Sequence, residues 1–313
     1  MCPSDNNSGV RHVQVSEDRD GQRLDNFLSA QMKGLPRSAL YRIIRKGQVR
    51  INGKRCKPAS RLQAGDMVRI PPARVREDRQ AIISERVCLQ IRNAVLFESA
   101  DLLVLDKPSG MAVHSGSGLP WGLIDVVRQN SPGEYFELAH RLDRETSGCL
   151  ILARNGKSLS HLTQLFREGA VQKQYLCLLD GRMNEAMVEV SVPLKKVQSG
   201  GEKQVVASLD GKEALTRFRL LQAYADCSYA EAHLLTGRTH QIRVHALHMN
   251  MPLAGDEKYA DVESLEKWKA RGLKRTFLHA HHLKFVTASG EELEFSSPLP
   301  GSLRAVLDGL ESQ

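Results

Sequence analysis

The stretch His140-Arg141-Leu142-Asp143-Arg144-Glu145-Thr146-Ser147-Gly148 lies between two apolar runs, residues 135–139 and 149–153. Apolar runs on both sides of a charged segment predict two strands joined by a turn, with Thr146-Ser147-Gly148 supplying the turn chemistry. The segment sets one carboxylate, Asp143, between two guanidinium groups, Arg141 and Arg144. Taken alone, such a triple describes a salt-bridged turn. Its meaning depends on what the rest of the chain places around it.

Downstream, residues 158–168 have helical spacing, with Leu159, Leu162, Leu165 and Phe166 on one face. Strands are expected at 173–179, 188–192, 204–208, 216–221 and 229–235. Upstream, 95–97 and 102–105 read as a strand pair and 123–128 as a short helix. Many strands with few helices between them predict an α+β fold, a mixed and mostly antiparallel sheet with flanking helices. Gly156-Lys157-Ser158 sits between a strand and a helix, but a phosphate-binding loop would need glycine at 151, where the chain has Ile151.

Charge is concentrated near the N-terminus. Residues 21–72 hold twelve lysines and arginines against Asp25 and Asp66, a net of +10 in a chain whose total is +8. A basic stripe confined to one short segment is the electrostatic footprint of a nucleic-acid-binding module. Two helices are expected there, at 22–33 and 37–46, with Gly34-Leu35-Pro36 between them and Gly47 capping the second. A strand at 49–51 and the hairpin turn Asn52-Gly53 follow, and a strand at 67–70 closes the segment. The expected organisation is a loose lead-in (1–20), a small basic α/β domain (21–72), a linker (73–92) and a larger domain (93–313).

The six cysteines show no Cys-x-x-Cys spacing, so no zinc knuckle or redox motif is indicated. His240, His245 and His248, and the group His279, His281 and His282, have no carboxylate or cysteine at ligand spacing and are expected to be ordinary histidines. No apolar run is long enough to span a bilayer, and residues 1–20 lack an apolar signal region, so a cytoplasmic protein is expected.

Residues 22–72 resemble the RNA-binding domain named after the fourth protein of the small ribosomal subunit, through Arg37-Ser38, Lys46-Gly47-x-Val49-x-Ile51-Asn52-Gly53 and Gly65-Asp66. Four further motifs occur in order: Lys107-Pro108-Ser109-Gly110, then 140–148, then Lys173-x-Tyr175-Leu176, then Thr236-Gly237-Arg238-Thr239-His240-Gln241-Ile242-Arg243-Val244-His245. Together they resemble the RluA family of pseudouridine synthases, and Ala112-Val113-His114 and 41–47 look most like its bacterial large-subunit branch. The resemblance implies conversion of uridine to pseudouridine in large-subunit (23S) ribosomal RNA, at several sites, with no cofactor, metal, membrane or small-molecule cosubstrate, by a monomer.

By the same resemblance Asp143 is the catalytic carboxylate, either as nucleophile or as the base that takes a ribose proton. Arg243 would pair with it, Tyr175 would stack on the base, and Arg141 would fill the gap left by the flipped uridine. Arg238, His240, Lys107 and His114 are expected to contact substrate. Arg37, Arg42, Arg45, Lys46, Arg50 and Lys57 are expected to contact RNA from the basic domain. A metal-dependent nuclease would need clustered carboxylates, and a methyltransferase a glycine-rich loop after its first strand; neither is present. A synthase acting on transfer RNA or another ribosomal site, and a non-enzymatic ribosome-assembly factor, remain as alternatives.

Overall fold

The computed structural model describes residues 9–32, 35, 37–72, 83–115, 119–199 and 202–311. The first unit is built from β1 (Arg11–Gln14), a 3-10 turn (Glu17–Arg19), α1 (Leu24–Gln31), α2 (Arg37–Arg45), β2 (Arg50–Ile51), β3 (Lys54–Arg55) and β4 (Met67–Ile70). Its antiparallel sheet runs β1-β4-β2-β3. Leu24, Phe27 and Leu28 of α1 and Leu40 and Ile44 of α2 are buried with Val49, Leu62 and Val68 in a core of their own. Asn52 and Gly53 both have positive φ, 48° and 77°, as the two-residue hairpin requires.

The expected lead-in is corrected here. Arg11–Gln14 pairs along its length with β4, and Val15 is buried in the small core. Val13 and Val15 alternate with polar residues over only three positions, too short a run to mark a strand, so the ladder that orders it is invisible locally. The expected linker is corrected likewise. Residues 73–82 lie outside the described set, but α3 (Glu85–Arg92) buries Cys88 and Ile91, one turn apart, in the main core of the second unit.

The second unit continues with β5 (Val95–Glu98), β6 (Leu102–Lys107), α4 (Leu123–Asn130), β7 (Glu137–Leu138), β8 (Ser147–Ala153), α5 (Gly156–Glu168) and β9 (Gln172–Leu179). Then come β10 (Met187–Ser191), the ribbon β11 (Leu194–Ser199) and β12 (Glu202–Ala207), β13 (Leu215–Ala223), β14 (Ser228–Leu234) and α6 (Gln241–His248). The chain closes with α7 (Val262–Ala270), β15 (Leu278–Val286), β16 (Glu292–Ser296) and α8 (Gly301–Glu311). The large sheet is ordered β10-β13-β14-β9-β15-β8-β6-β5, with β16 on β15 and β7 on β8. Of its described pairings, β8 with β15 is parallel and the others are antiparallel. The α+β reading therefore holds.

All seven residues of β8 are buried. Leu150 and Leu152 face one core, and Cys149, Ile151 and Ala153 face a second on the other side of the sheet. A strand covered on both faces reads as an unbroken apolar run. Two local expectations change. Ser147 and Gly148 already belong to β8, so the turn falls at Arg144-Glu145. The run 135–139 forms only the two-residue strand β7. The sequence pattern gives no sign of the strands β11 and β16 or of the helices α7 and α8.

Candidate active site

Asp143 sits in the loop between β7 and β8, its side chain 30% exposed. Its sequence neighbours are not its partners. Arg141 is exposed. Arg144 donates from Nε to the Gly110 carbonyl at 3.0 Å and pairs with Glu145 at 3.5 Å. The guanidinium that reaches Asp143 comes from Arg243, in the first turn of α6, with Nη1 3.3 Å from Oδ2.

Arg243 is itself held from behind. Its Nε and Nη2 donate to Oδ2 and Oδ1 of Asp256 at 2.7 and 2.6 Å, a two-bond fork on a carboxylate with no exposed surface. The Lys258 backbone N–H donates to the same carboxylate at 3.0 Å. The Arg243 guanidinium also lies 5.0 Å from the centre of the Tyr259 ring. Burial opposes the charge on Arg243, but its bonds to Asp256 and the charges of Asp256 and Asp143 outweigh that and raise its pKa.

The turn into α6 is built for this placement. Gln241 accepts from the Arg238 N–H and the Thr236 hydroxyl, and donates to the Leu215 carbonyl and the Thr216 hydroxyl oxygen. One side chain thereby ties the turn to β13. His240 precedes the helix with φ 53°, in the left-handed region. Its Nδ1 is 2.7 Å from the Tyr259 hydroxyl and its Nε2 is 3.8 Å from Asp143. The second distance is too long for a hydrogen bond. Burial, more than any neighbour, lowers the pKa of His240.

Tyr175, on β9, is 7% exposed, and burial followed by the charge of Asp143 raises its pKa, keeping the phenol protonated. The structure thus gathers Asp143, Arg243, Tyr175 and His240. It does not bring in Lys107, whose expected substrate contact is corrected. Lys107 is fully buried, and its ammonium donates to the carbonyls of Pro108, Met111 and Arg144 at 2.8, 2.7 and 3.0 Å. Those bonds use all three donors and brace the 108–111 turn against the loop that carries Asp143. The Gly110 N–H to Arg144 carbonyl and Ser109 hydroxyl to Glu145 carbonyl bonds add to that brace. Burial, with the charge of Arg275, pushes Lys107 down to about 7, against the pull of Glu145 and Asp143.

Arg238 is exposed and donates to the Glu213 carbonyl at 2.9 Å. His114 is exposed just before residues 116–118, which lie outside the described set. In the basic unit Arg42, Arg45, Lys46 and Lys57 are exposed and Arg50 is half-buried; the Arg37 side chain is outside the described residues. His140 is half-buried and turned toward the frame. Its Nε2 accepts from the Ile151 N–H at 3.0 Å and its ring stacks on Phe166.

Sequence reasoning missed Asp256, Tyr259 and Gln241. The available signal was an aspartate closing the apolar run 251–254, which is weak without the fold. Among the described residues no three His, Cys, Asp or Glu side chains converge as a metal site, and no helix is long and apolar enough to cross a membrane.

Comparison with known proteins gives two family matches. Residues 101–248 match the family described as RNA pseudouridylate synthase, and residues 22–68 match the S4 domain. A Pasteurella multocida protein named ribosomal large subunit pseudouridine synthase C is 44% identical over 312 residues, 98% of this chain and 96% of that protein. The protein of the same name from Escherichia coli K12 is 42% identical, over 97% of each. Among solved structures, human RNA pseudouridylate synthase domain containing 4 superposes with a TM-score of 0.60 at 25% identity, covering 72% of this chain and 96% of that one.

Proposed function

This chain belongs to the RNA pseudouridylate synthase family, and from that premise we propose that it isomerises uridines of large-subunit ribosomal RNA with Asp143 as its catalytic carboxylate. The observation that carries the assignment of Asp143 is its pairing with a guanidinium that a fully buried second carboxylate holds in place. A preorganised cation beside the carboxylate aims it without reorganisation during the reaction.

In the proposed reaction the bond between uracil N1 and ribose C1′ breaks, the base turns, and C5 bonds to C1′. The C5 proton leaves and N1 gains one, so atoms balance without a cosubstrate. Tyr175, protonated and at the edge of the core, offers its ring face to the extruded base. Arg141, exposed next to Asp143, is free to enter the stack the uridine vacates. Flipping costs a few kcal/mol, less in a loop, and phosphate contacts from the exposed face of α2 offset it. We place the small basic domain at residues 11–72 and the catalytic domain at 83–311.

The test is tritium release from unmodified large-subunit rRNA labelled at uracil C5, in EDTA. Release is expected, and its absence from rRNA and from immature ribosomal particles would overturn the reading. Asp143→Asn is expected to bind the RNA like the wild type and to release no tritium above background. Residual turnover would remove Asp143 from the chemistry.

A further inference from the structure

Beside the Asp143–Arg243 pair lies a concavity whose lining includes neither Asp143 nor Tyr175. It is a cleft of about 330 Å³ lined by Glu145, Arg243, Gly255, Glu257, Lys258, Lys274, Arg275 and Thr276. Four of these side chains are cationic and two are carboxylates. The cleft and the catalytic carboxylate share Arg243, so whatever occupies the cleft sits one guanidinium away from the reacting sugar.

Arg275 is the unusual member. It is half-buried, and among the described residues no carboxylate lies within ion-pair distance of it. Its Nε donates to the Thr276 carbonyl at 3.2 Å, and its Nη2 donates to the Ser147 hydroxyl and the Leu278 carbonyl, both at 2.8 Å. These neutral acceptors hold one edge of the guanidinium still. Nη1 makes no hydrogen bond among the described residues. Burial pushes Arg275 down to about 10, against the weaker pull of Glu145 and Asp106. A partly desolvated cation with no carboxylate in direct contact is favoured by an anion that reaches it.

On that side two backbone segments pack closely to form the wall. Gly255, with φ 68°, passes so close to the 275 carbonyl that an added Cβ would lie 2.5 Å from its oxygen. Lys274 and Glu257 stand exposed at the rim. The inner cation is fixed in direction by its hydrogen bonds, and the outer charges face solvent.

We propose that this cleft is a phosphate subsite: Arg275, Lys274 and Lys258 take a backbone phosphodiester of the RNA strand next to the uridine held at Asp143. The assignment rests on the proposed function for the identity of the strand. A phosphate fixed there would set the ribose of the target against Asp143 through a covalent tether a few bonds long, so that part of the flipping cost is met by a charge-assisted contact. It would also neutralise the Arg275 guanidinium, which has no ion-pair partner among the described residues.

The test uses two exposed rim residues whose charges act in opposite directions. Binding of the full chain to a large-subunit rRNA fragment is measured across a salt series. Lys274→Glu is expected to weaken binding roughly three- to tenfold and to lower the log–log salt slope by about 0.7 to 0.9. Glu257→Gln is expected to tighten binding. Opposite signs cannot arise from a general loss of folding. Unchanged affinity in both variants, or weakening in both, overturns the subsite. Failure of the underlying function would appear differently, as no tritium release by the wild type, whatever the sign of the two binding changes.

Discussion

The Arg243 guanidinium is shared between two carboxylates that differ in burial. Asp256 has no exposed surface and takes two of its bonds, while Asp143 takes one longer bond and keeps contact with solvent. The buried partner therefore sets where the cation stands, and the exposed one is left available for chemistry. Asp256→Asn would leave the guanidinium without its fork. Removing one partner of a buried pair costs about 3–5 kcal/mol, and the resulting displacement at Asp143 is expected to lower single-turnover rate roughly 10- to 100-fold. Urea unfolding and tritium release read the two effects; a full rate in a folded variant would show that Arg243 needs no such support. His140 illustrates a residue that sits in the motif and serves the frame. Burial pushes it down to about 3, with Lys173 adding to the shift. The unfolded chain takes up this proton near pH 6.5, the folded chain only near 3. Stability therefore falls as pH drops between those values, by at most about 1.4 kcal/mol per pH unit. His140→Gln retains an acceptor for the Ile151 N–H and lacks the titration, so its unfolding free energy should decline less between pH 7 and 5. Equal slopes would assign the proton uptake to another group.

Strand β8 connects the Asp143 loop to the centre of the sheet. It pairs antiparallel with β6 and, through Ser147 and Gly148, parallel with β15. Gly148 has φ 108°, and a Cβ there would lie 2.2 Å from the Ala280 carbonyl oxygen. The two backbones can meet only at a residue without a side chain. Gly148→Ala must separate β8 from β15 or leave the left-handed conformation. A loss of about 3 kcal/mol or more is expected, read as a large fall in Tm. A Tm within a degree or two of the wild type would mean the strands meet differently. The same contact explains why Thr146-Ser147-Gly148 reads as a turn. Small polar residues with glycine are turn formers in isolation, and here the glycine serves a close strand crossing. Ser147 is used as well, since its hydroxyl bonds to His279 and receives an N–H from Arg275.

The molecule carries separate hydrophobic cores for its basic and catalytic units. The two meet at the turn Glu17–Arg19. The Arg19 guanidinium lies within 6 Å of the rings of Phe27, on one side, and Tyr135, on the other. A Cβ on Gly156, at the start of α5, would be 2.2 Å from the Asp20 carbonyl oxygen. The exposed cations of α2 are thus held on the same body as the active site. Replacing Arg42, Arg45 and Lys46 together by alanine is expected to weaken RNA binding and reduce the salt slope by about 2; an unchanged slope would remove this face from the RNA contact. Much of the fold was legible locally, because periodicity and turn chemistry act within a few residues. The helix faces at Leu24, Phe27 and Leu28 and at Leu159 and Leu162, the Asn52-Gly53 hairpin and the buried run 149–153 all followed from side-chain size and backbone freedom. So did the concentration of charge in residues 21–72 and the motifs that carry Asp143, Tyr175 and Arg243. Tertiary structure alone decided partners. Asp143 pairs with a residue one hundred positions away and not with the arginines beside it, because the loop brace of Lys107 turns Arg144 toward Gly110. Lys107 is structural and Asp256 anchors Arg243 for the same reason: burial and hydrogen-bond geometry depend on which strands lie side by side, and no local pattern encodes that.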